Sequence, residues 1–398
     1  MGWERKRGKL DELNRLLLGE GHVDLHVAEG DGTRLKAVRF VVTLDADTTL
    51  PPGSANRLAG ALAHPLNRPT LEPDGRVVSG YTVIQPRIET LPAEAGTRFE
   101  RIQAGDAGLD LYSGAVSDVY QDVFAEGIYA GKGIYDVEAF HRSLEGRVPD
   151  NALLSHDLFE GVHGRAALAT DITVFEEYPP DLLAYSRRLH RWIRGDWQIL
   201  PWLLPRVPIA DGRDRNPLSL LDRWKIADNL RRSLLYPSVM GLLLVGWLTP
   251  LGPAWWWSTA AAGVLGIPVL AGAATAVRSR ARFPGRRAHF SGVRLTPPAA
   301  LLQWLVSLAY LPYDARVNLD AVLRTLWRLL VSRGNLLEWT TASNAARMIR
   351  GRGRRFFFLH MASQPVVGIT GLILVGLMEP TRIFAAAPIL VLWIPAPW

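Results

Sequence analysis

Two aspartates one residue apart follow a short apolar run near the start of the chain. The run from Val38 to Leu44 is rich in β-branched residues, which predicts a buried strand, and Asp45 and Asp47 come directly after it. Ligands of open α/β sheets bind beyond the carboxyl ends of strands, and alternate residues of an extended chain point the same way. Two carboxylates there suit Mg²⁺ or Mn²⁺, which prefer oxygen ligands and also bind substrate phosphates. Because the motif is short, a solvated acidic turn is the alternative interpretation.

Further residues suited to chemistry lie in the next part of the chain. Asp157, with Glu160 nearby, can take a proton from a hydroxyl, whereas Arg191 can bind phosphate and Trp192 can pack against a sugar ring. Each of these residues also has a purely structural interpretation. Asp157 and Glu160 also fit a capped helix start, and the Arg191–Trp192 pair fits an anchor at a membrane surface. The glycines that flank Lys132 can cradle a phosphate, but they lack the spacing of a nucleotide-binding loop, which favours a turn.

Length and composition limit the possible classes of protein. The chain has 398 residues and a formal net charge of +7, which predicts two or three structural units. It contains no cysteine, so disulfides, zinc–thiolate sites and a cysteine nucleophile are excluded. The basic start has no apolar core, so we expect no signal peptide, and the apolar last residues resemble a cut end.

Up to residue 232 the pattern of strands and helices indicates an α/β domain. Leucines at helical spacing between residues 10 and 17 predict a first helix, and residues 56–66 a second. Residues 77–88 and 171–176 predict strands, and residues 99–110 a helix and loop. Alternation of this kind is typical of sheets covered by helices.

Beyond residue 232 the pattern becomes that of a membrane protein. Residues 233–277 carry no charge and are interrupted by the stretch from Thr249 to Pro253, which predicts a hairpin of two spans of about 20 residues. Residues 356–378 predict a third span and residues 383–398 an incomplete fourth. Arginines between 278 and 294 and between 347 and 355 place residues 1–232 and the connecting segment 278–355 in the cytosol. Within that segment, residues 297–332 predict an interfacial amphipathic helix.

Taken together, the order of these motifs resembles that of processive family-2 glycosyltransferases such as cellulose and hyaluronan synthases. The order is Asp45 and Asp47, then His156 and Asp157, then the stretch from Arg188 to Trp192. The chain is more similar to the glycosyltransferase region of cyclic β-1,2-glucan synthases, at residues 2–10, 43–48, 83–87, 131–136, 155–161 and 191–198. This resemblance is dense over residues 1–232 and follows the membrane part by pattern.

The resemblance implies an inverting, metal-dependent glucosyltransferase. Its fold would be a GT-A-type, Rossmann-like α/β domain followed by an α-helical membrane region. It would transfer glucose from UDP-glucose to a growing β-1,2-glucan, the acceptor. Asp45 and Asp47 would bind Mg²⁺ or Mn²⁺ and the diphosphate, and Asp157 would be the general base, supported by Glu160. The substrate-binding residues would be Arg191, Trp192, Arg188, Lys9, Asn14, Gln85, Arg87 and Lys132.

Two positions depart from the motifs of these glycosyltransferases. Arg188 stands where the arginine–tryptophan motif begins with glutamine, and His156 stands where the base motif has glutamate before the aspartate. Full-length relatives also carry an upstream nucleotide-binding strand and a phosphorylase-like domain, and we expect that domain as a partner within one full-length chain. The expected location is the bacterial inner membrane, multi-pass in the lipid bilayer with the catalytic domain in the cytosol, and without a nucleic-acid partner.

Two other functions fit part of the sequence. A haloacid-dehalogenase-type phosphatase also places Asp-x-Asp after a strand, with Asp45 as nucleophile and Asp47 as acid and base. That mechanism needs a closing pair of aspartates, and the stretch around Asp196 supplies only one. A membrane scaffold explains the arginine clusters but leaves the carboxylates without a role.

Overall fold

The structure, a computed structural model, describes residues 4–21, 24, 25, 27–90, 97–103, 119–282, 297–338 and 353–397. Its strands are β1 (Phe40–Thr43), β2 (Thr48–Thr49), β3 (Thr70–Leu71), β4 (Val77–Ser79), β5 (Val83–Thr90), β6 (Gly133–Asp136), β7 (Ala166–Glu176), β8 (Arg206–Ile209) and β9 (Gly212–Arg215). Five of them form one sheet in the order β1-β6-β5-β7-β2, while β3 with β4 and β8 with β9 form two small hairpins.

The central sheet is mixed. Strands β5 and β7 are parallel, whereas β6 runs antiparallel to both β1 and β5, and β2 runs antiparallel to β7. The α/β class predicted from the sequence is therefore confirmed. Strand β7 begins at Ala166 rather than at the predicted residue 171, because its first residues are mostly alanines, which are weak strand formers.

Eight helices accompany this sheet within the described part of residues 1–233. They are α1 (Arg5–Leu18), α2 (Ser54–Ala63), α3 (Arg98–Gln103), α4 (Val119–Phe124), α5 (Val137–Leu144), α6 (Asp157–His163), α7 (Leu182–Gln198) and α8 (Leu220–Ser233). Leu17, Tyr135 and Phe140 belong to one buried cluster against the sheet, and Leu58 and Ile134 belong to another. The sheet is thus covered by helices and lies in the core.

Two predicted elements have different boundaries. The second helix ends at Ala63, because the residue before Pro65 is disfavoured in the α conformation, and His64 is extended (ψ 133°). The predicted strand 77–88 is split into β4 and β5 at Gly80, whose φ of +69° turns the chain. Of the helix and loop predicted for residues 99–110, residues 104–110 lie outside the described ranges.

The second half of the chain is helical. Its helices are α9 (Leu235–Leu248), α10 (Ala254–Arg282), α11 (Pro297–Trp327), α12 (Arg354–Met361), α13 (Ser363–Met378) and α14 (Ile383–Trp393). The predicted hairpin is present as α9 and α10, which are separated at Thr249–Pro253. Trp247, Leu311, Leu390 and Trp393 are fully buried in the cluster that joins these helices.

Spans of a membrane remain a prediction for this helical region. Among the described residues, no single helix is both long enough and apolar enough to cross a bilayer. The segments Arg355–Met361 and Ser363–Met378 meet these requirements together, with a bend of 48° between them. The arginines at 286, 287, 294, 347, 350 and 352 lie outside the described ranges.

Candidate functional site

Three carboxylates meet where the turn after β1 leads into β2, which pairs with the end of β7. Strand β1 ends at Thr43, and the turn that follows carries Asp45 and Asp47. Strand β2 then pairs with the end of β7, so that Thr48 lies opposite Glu176. Oxygen atoms of Asp45, Asp47 and Glu176 lie within 4.8 Å of one another. The side chains of the two predicted aspartates are therefore joined by a third acidic residue.

Three cationic side chains from separate elements pair with these carboxylates. Lys6 Nζ of α1 lies 2.7 Å from Asp45 Oδ1. Lys132, just before β6, pairs with Glu176 and lies 3.2 Å from Asp45 Oδ2. Arg188 of α7 lies 3.4 Å from Asp47 Oδ2 and 3.1 Å from Glu176 Oε2. We call these six side chains the ionic cluster.

Burial strengthens the electrostatic interactions between the side chains of the ionic cluster. Burial alone would lower the pKa of Lys132, which is 5% exposed, but Glu176 and Asp45 outweigh this and raise it. Burial would likewise raise the pKa of Asp45, yet Lys132 and Lys6 hold it below its usual value. Asp45 is thus kept ionised, in the form that binds a cation.

The donor set of the ionic cluster fits a divalent cation. Asp45, Asp47 and Glu176 offer the hard oxygen ligands that Mg²⁺ and Mn²⁺ prefer, and their oxygens are close enough to share one ion. Lys6, Lys132 and Arg188 already supply positive charge at this place. They are also suited to bind the phosphate oxygens that accompany such an ion in nucleotide sites.

Asp157 lies next to the ionic cluster. Lys6 Nζ donates to Gly131 O at 3.1 Å as well as to Asp45. A Cβ atom on Gly131 would lie 2.5 Å from Asp157 Oδ1, so the carboxylate lies directly against this glycine. Asp157 is the first residue of α6 and the N-cap position belongs to His156, so the interpretation of Asp157 as an N-cap is wrong.

Gly131→Ala is expected to abolish turnover while the protein still accumulates. The new methyl group would displace the Asp157 carboxylate, and the φ of +78° at this position is unfavourable for alanine. The measurement is UDP release from UDP-glucose, the reaction that the resemblance implies, per amount of protein. Gly146→Ala is the matched control, because Gly146 also has a positive φ (+69°) but has open space around its Cβ position. Equal activity of the two variants would contradict the close packing of Asp157 on Gly131.

Helix α7 brings the arginine–tryptophan motif to the same place. The Arg188 guanidinium lies over the Trp192 ring, 4.6 Å from its centroid. Burial and Arg188 lower the pKa of Arg191, while Asp157, Asp45 and Asp47 act in the opposite direction, so Arg191 lies near all three carboxylates. The helix docks closely because Gly195 lies against Ser155, where a Cβ atom would be only 2.3 Å from Ser155 Cβ.

The other predicted site residues are spread around this centre. Gln85 is buried and accepts from Ala130 N at 2.9 Å, which holds the loop before Gly131. Arg87 pairs with Glu89 at 3.0 Å. Asn14 is buried and accepts from the Tyr135 hydroxyl at 2.8 Å, while Lys9 is exposed on α1. The described contacts therefore place Lys132 and Arg188 in the ionic cluster, but not Lys9, Asn14 or Arg87.

Sequence reasoning missed two members of the ionic cluster. Glu176 ends the predicted strand 171–176, so the rule that selected Asp45 and Asp47 at a strand end selects it as well. Lys6 lies in the basic start of α1, among Arg5, Arg7 and Lys9, and no spacing in the sequence separates it from them. Only the docking of α1 on the sheet identifies it.

The structure thus brings together an acidic pair after a strand, a separate carboxylate and an arginine–tryptophan helix, the motifs on which the resemblance to glycosyltransferases rests. Over its whole length the chain is similar to the cyclic β-(1,2)-glucan synthase NdvB of Rhizobium meliloti (strain 1021), at 37% identity across 403 aligned residues. The chain spans 14% of the length of NdvB. No protein-family model matches it. The predicted resemblance to cyclic β-1,2-glucan synthases is thus confirmed.

Proposed function

We propose that the chain is the glucosyl-transferring unit of a cyclic β-1,2-glucan synthase, with UDP-glucose as donor and a β-1,2-glucan as acceptor. The observation that carries the proposal is the meeting of the ionic cluster, Asp157 and the Arg191–Trp192 pair in one place. Similarity to NdvB over the whole chain supports it. Because that similarity covers the whole chain, it does not favour a cellulose-type or hyaluronan-type synthase, a phosphatase or a scaffold.

In the proposed reaction the acceptor hydroxyl attacks C1 of the donor glucose. Asp157 accepts the proton of that hydroxyl as the new C1–O bond forms. The bond between C1 and the diphosphate breaks on the opposite face, which inverts the configuration and releases UDP with its electron pair. Asp157 then returns its proton to solvent. One base and one displacement are enough for this chemistry.

The ionic cluster would bind the diphosphate of the donor. Mg²⁺ or Mn²⁺ held by Asp45, Asp47 and Glu176 would neutralise the negative charge that develops on the departing diphosphate. Arg191, which lies near the same carboxylates, would bind phosphate oxygens, and Trp192 would pack against the acceptor sugar. Arg188 on α7 pairs with Glu176 and Asp47. It also stacks on the ring of Trp192 and thereby positions it.

Association with a bilayer is part of the proposal. The helical region exposes many large apolar side chains, including Trp255, Trp256, Ile267, Leu270, Ile369, Ile373, Leu377 and Phe384. Exposed apolar patches of this extent mark membrane or protein interfaces. Trp255 and Trp256 lie at the start of α10, where indole rings suit the boundary between lipid and water. We therefore propose a multi-pass protein of the bacterial inner membrane with its α/β domain in the cytosol.

UDP release from UDP-glucose tests the proposed function. Membranes from cells that express the protein at its full encoded length should release UDP and extend a β-1,2-glucan. A chelator should stop both, and added Mg²⁺ or Mn²⁺ should restore them, because the carboxylates alone cannot neutralise the leaving diphosphate. Membranes from cells without the gene are the control. Absence of UDP release, or release that a chelator does not affect, would contradict the proposal.

A further inference from the structure

A buried histidine lies directly behind the proposed base. His156 and Glu160 are 6% and 3% exposed, and His156 Nδ1 lies 2.7 Å from Glu160 Oε1. The same nitrogen lies 3.8 Å from Asp157 Oδ1. One imidazole nitrogen therefore faces two carboxylates that belong to the same short helix.

The charged groups around His156 come from two parts of the chain. Helix α6 contributes Asp157 and Glu160, and the start of the chain contributes Lys6 of α1 and Glu4, the residue before α1. Burial alone would lower the pKa of His156, but Glu160 and Asp157 outweigh burial and Lys6 and raise it. Negative neighbours thus favour the imidazolium form in spite of its burial.

We propose that His156, held in its charged form by Glu160, is a positioning residue for Asp157. The inference rests on the proposed function, in which Asp157 accepts the acceptor proton. The imidazolium attracts the Asp157 carboxylate and so fixes it beside Gly131. Since His156 is buried, it acts through Asp157 and does not touch the sugar.

This arrangement assigns Glu160 a role different from that of an alternative base. Its carboxylate is almost fully buried and pairs with His156, so it is poorly placed to reach a bound hydroxyl. It compensates the imidazolium charge, which would otherwise be costly to bury. The related motif has a negatively charged glutamate before the base, whereas this chain has a positively charged His156 at that position. The pair of His156 and Glu160 therefore forms one unit behind Asp157.

The pH dependence of kcat for UDP release tests this inference. In the wild-type protein, kcat should fall at high pH as His156 loses its proton. His156→Gln should remove this alkaline limb, because glutamine does not carry the charge that titrates there. Glu160→Gln should move the alkaline limb to lower pH, because the strongest interaction that raises the His156 pKa is gone.

His163→Gln is the matched control. His163 lies on the same helix and is buried, but burial lowers its pKa to about 4 and its Nδ1 lies 3.0 Å from Phe159 O. The alkaline limb of its profile should coincide with that of the wild type. A His156→Gln profile that is only scaled down, with the alkaline limb in place, would assign a purely structural role and overturn the inference.

Two further outcomes also test the positioning role of His156. If His156→Gln does not accumulate, the Glu160→Gln profile decides, and an unmoved alkaline limb overturns the inference. If the wild-type protein releases no UDP, the proposed function is overturned and the inference falls with it. If the wild-type protein is active and a variant keeps the wild-type alkaline limb of the pH profile, only the role of His156 is contradicted.

Discussion

Asp157→Asn is expected to lower kcat for UDP release by about 10²- to 10⁴-fold, the usual contribution of a general base. Asparagine has nearly the same size and can still lie against Gly131, but it cannot take up the acceptor proton. Because the lost interaction matters in the transition state, KM for UDP-glucose should stay close to its wild-type value. The measurement is steady-state UDP release at saturating Mg²⁺ or Mn²⁺.

Asp171→Asn is the matched control for this experiment. Asp171 lies on β7 with its side chain 74% exposed, and it pairs with Arg57 away from the ionic cluster. The same chemical change there should leave kcat and KM unaltered. Full activity of Asp157→Asn would show that another group accepts the proton, and Glu160 would be the next carboxylate to test.

Asp47→Ala is expected to abolish turnover by weakening metal binding. Loss of a residue that only supports a metal ligand costs roughly 10- to 100-fold in affinity, so removal of a direct ligand should cost at least as much. The change also leaves Arg188 with Glu176 as its remaining partner in the ionic cluster. Metal and diphosphate would then bind to a site with one negative charge fewer and a freer guanidinium.

Mn²⁺ binding gives a readout that does not depend on activity. Electron paramagnetic resonance of free Mn²⁺, titrated into detergent-solubilised protein with and without UDP, should show weaker binding for Asp47→Ala and for Glu176→Gln. Asp171→Ala should bind Mn²⁺ as the wild type does. Wild-type affinity in Asp47→Ala, together with wild-type UDP release, would mean that the predicted metal site does not exist.

Most of the α/β architecture follows from local patterns in the sequence. The run before Asp45 forms a strand in which the β-branched Val41 and Val42 are half-buried against the sheet, and the hairpin of α9 and α10 breaks at its two prolines. The direction and pairing of the strands were harder to predict from the sequence. Nothing local indicates that β6 runs antiparallel between β1 and β5, since strand order depends on contacts between distant segments.

The sequence could identify the site residues that lie in short motifs of chemically active side chains. Asp45 and Asp47 share one cluster, and Asp157 lies next to it against Gly131, whose carbonyl oxygen accepts from Lys6. Lys9 and Arg87 were selected from their positions in motifs, but side-chain direction on a helix or strand decided their contacts. Glu176 could be found as a strand-end carboxylate, whereas Lys6 joins the ionic cluster through the docking of α1, which one sequence does not encode locally.

The ionic cluster also limits how this region can change during evolution. Lys132 is almost fully buried between Asp45 and Glu176, and loss of one partner of a buried ion pair costs about 3–5 kcal/mol. A single neutral substitution therefore affects both the stability of the fold and the binding of a cation. Carboxylates and cations at these positions should be exchanged in pairs, so that an evolutionary path through one change alone passes through a poorly folded intermediate.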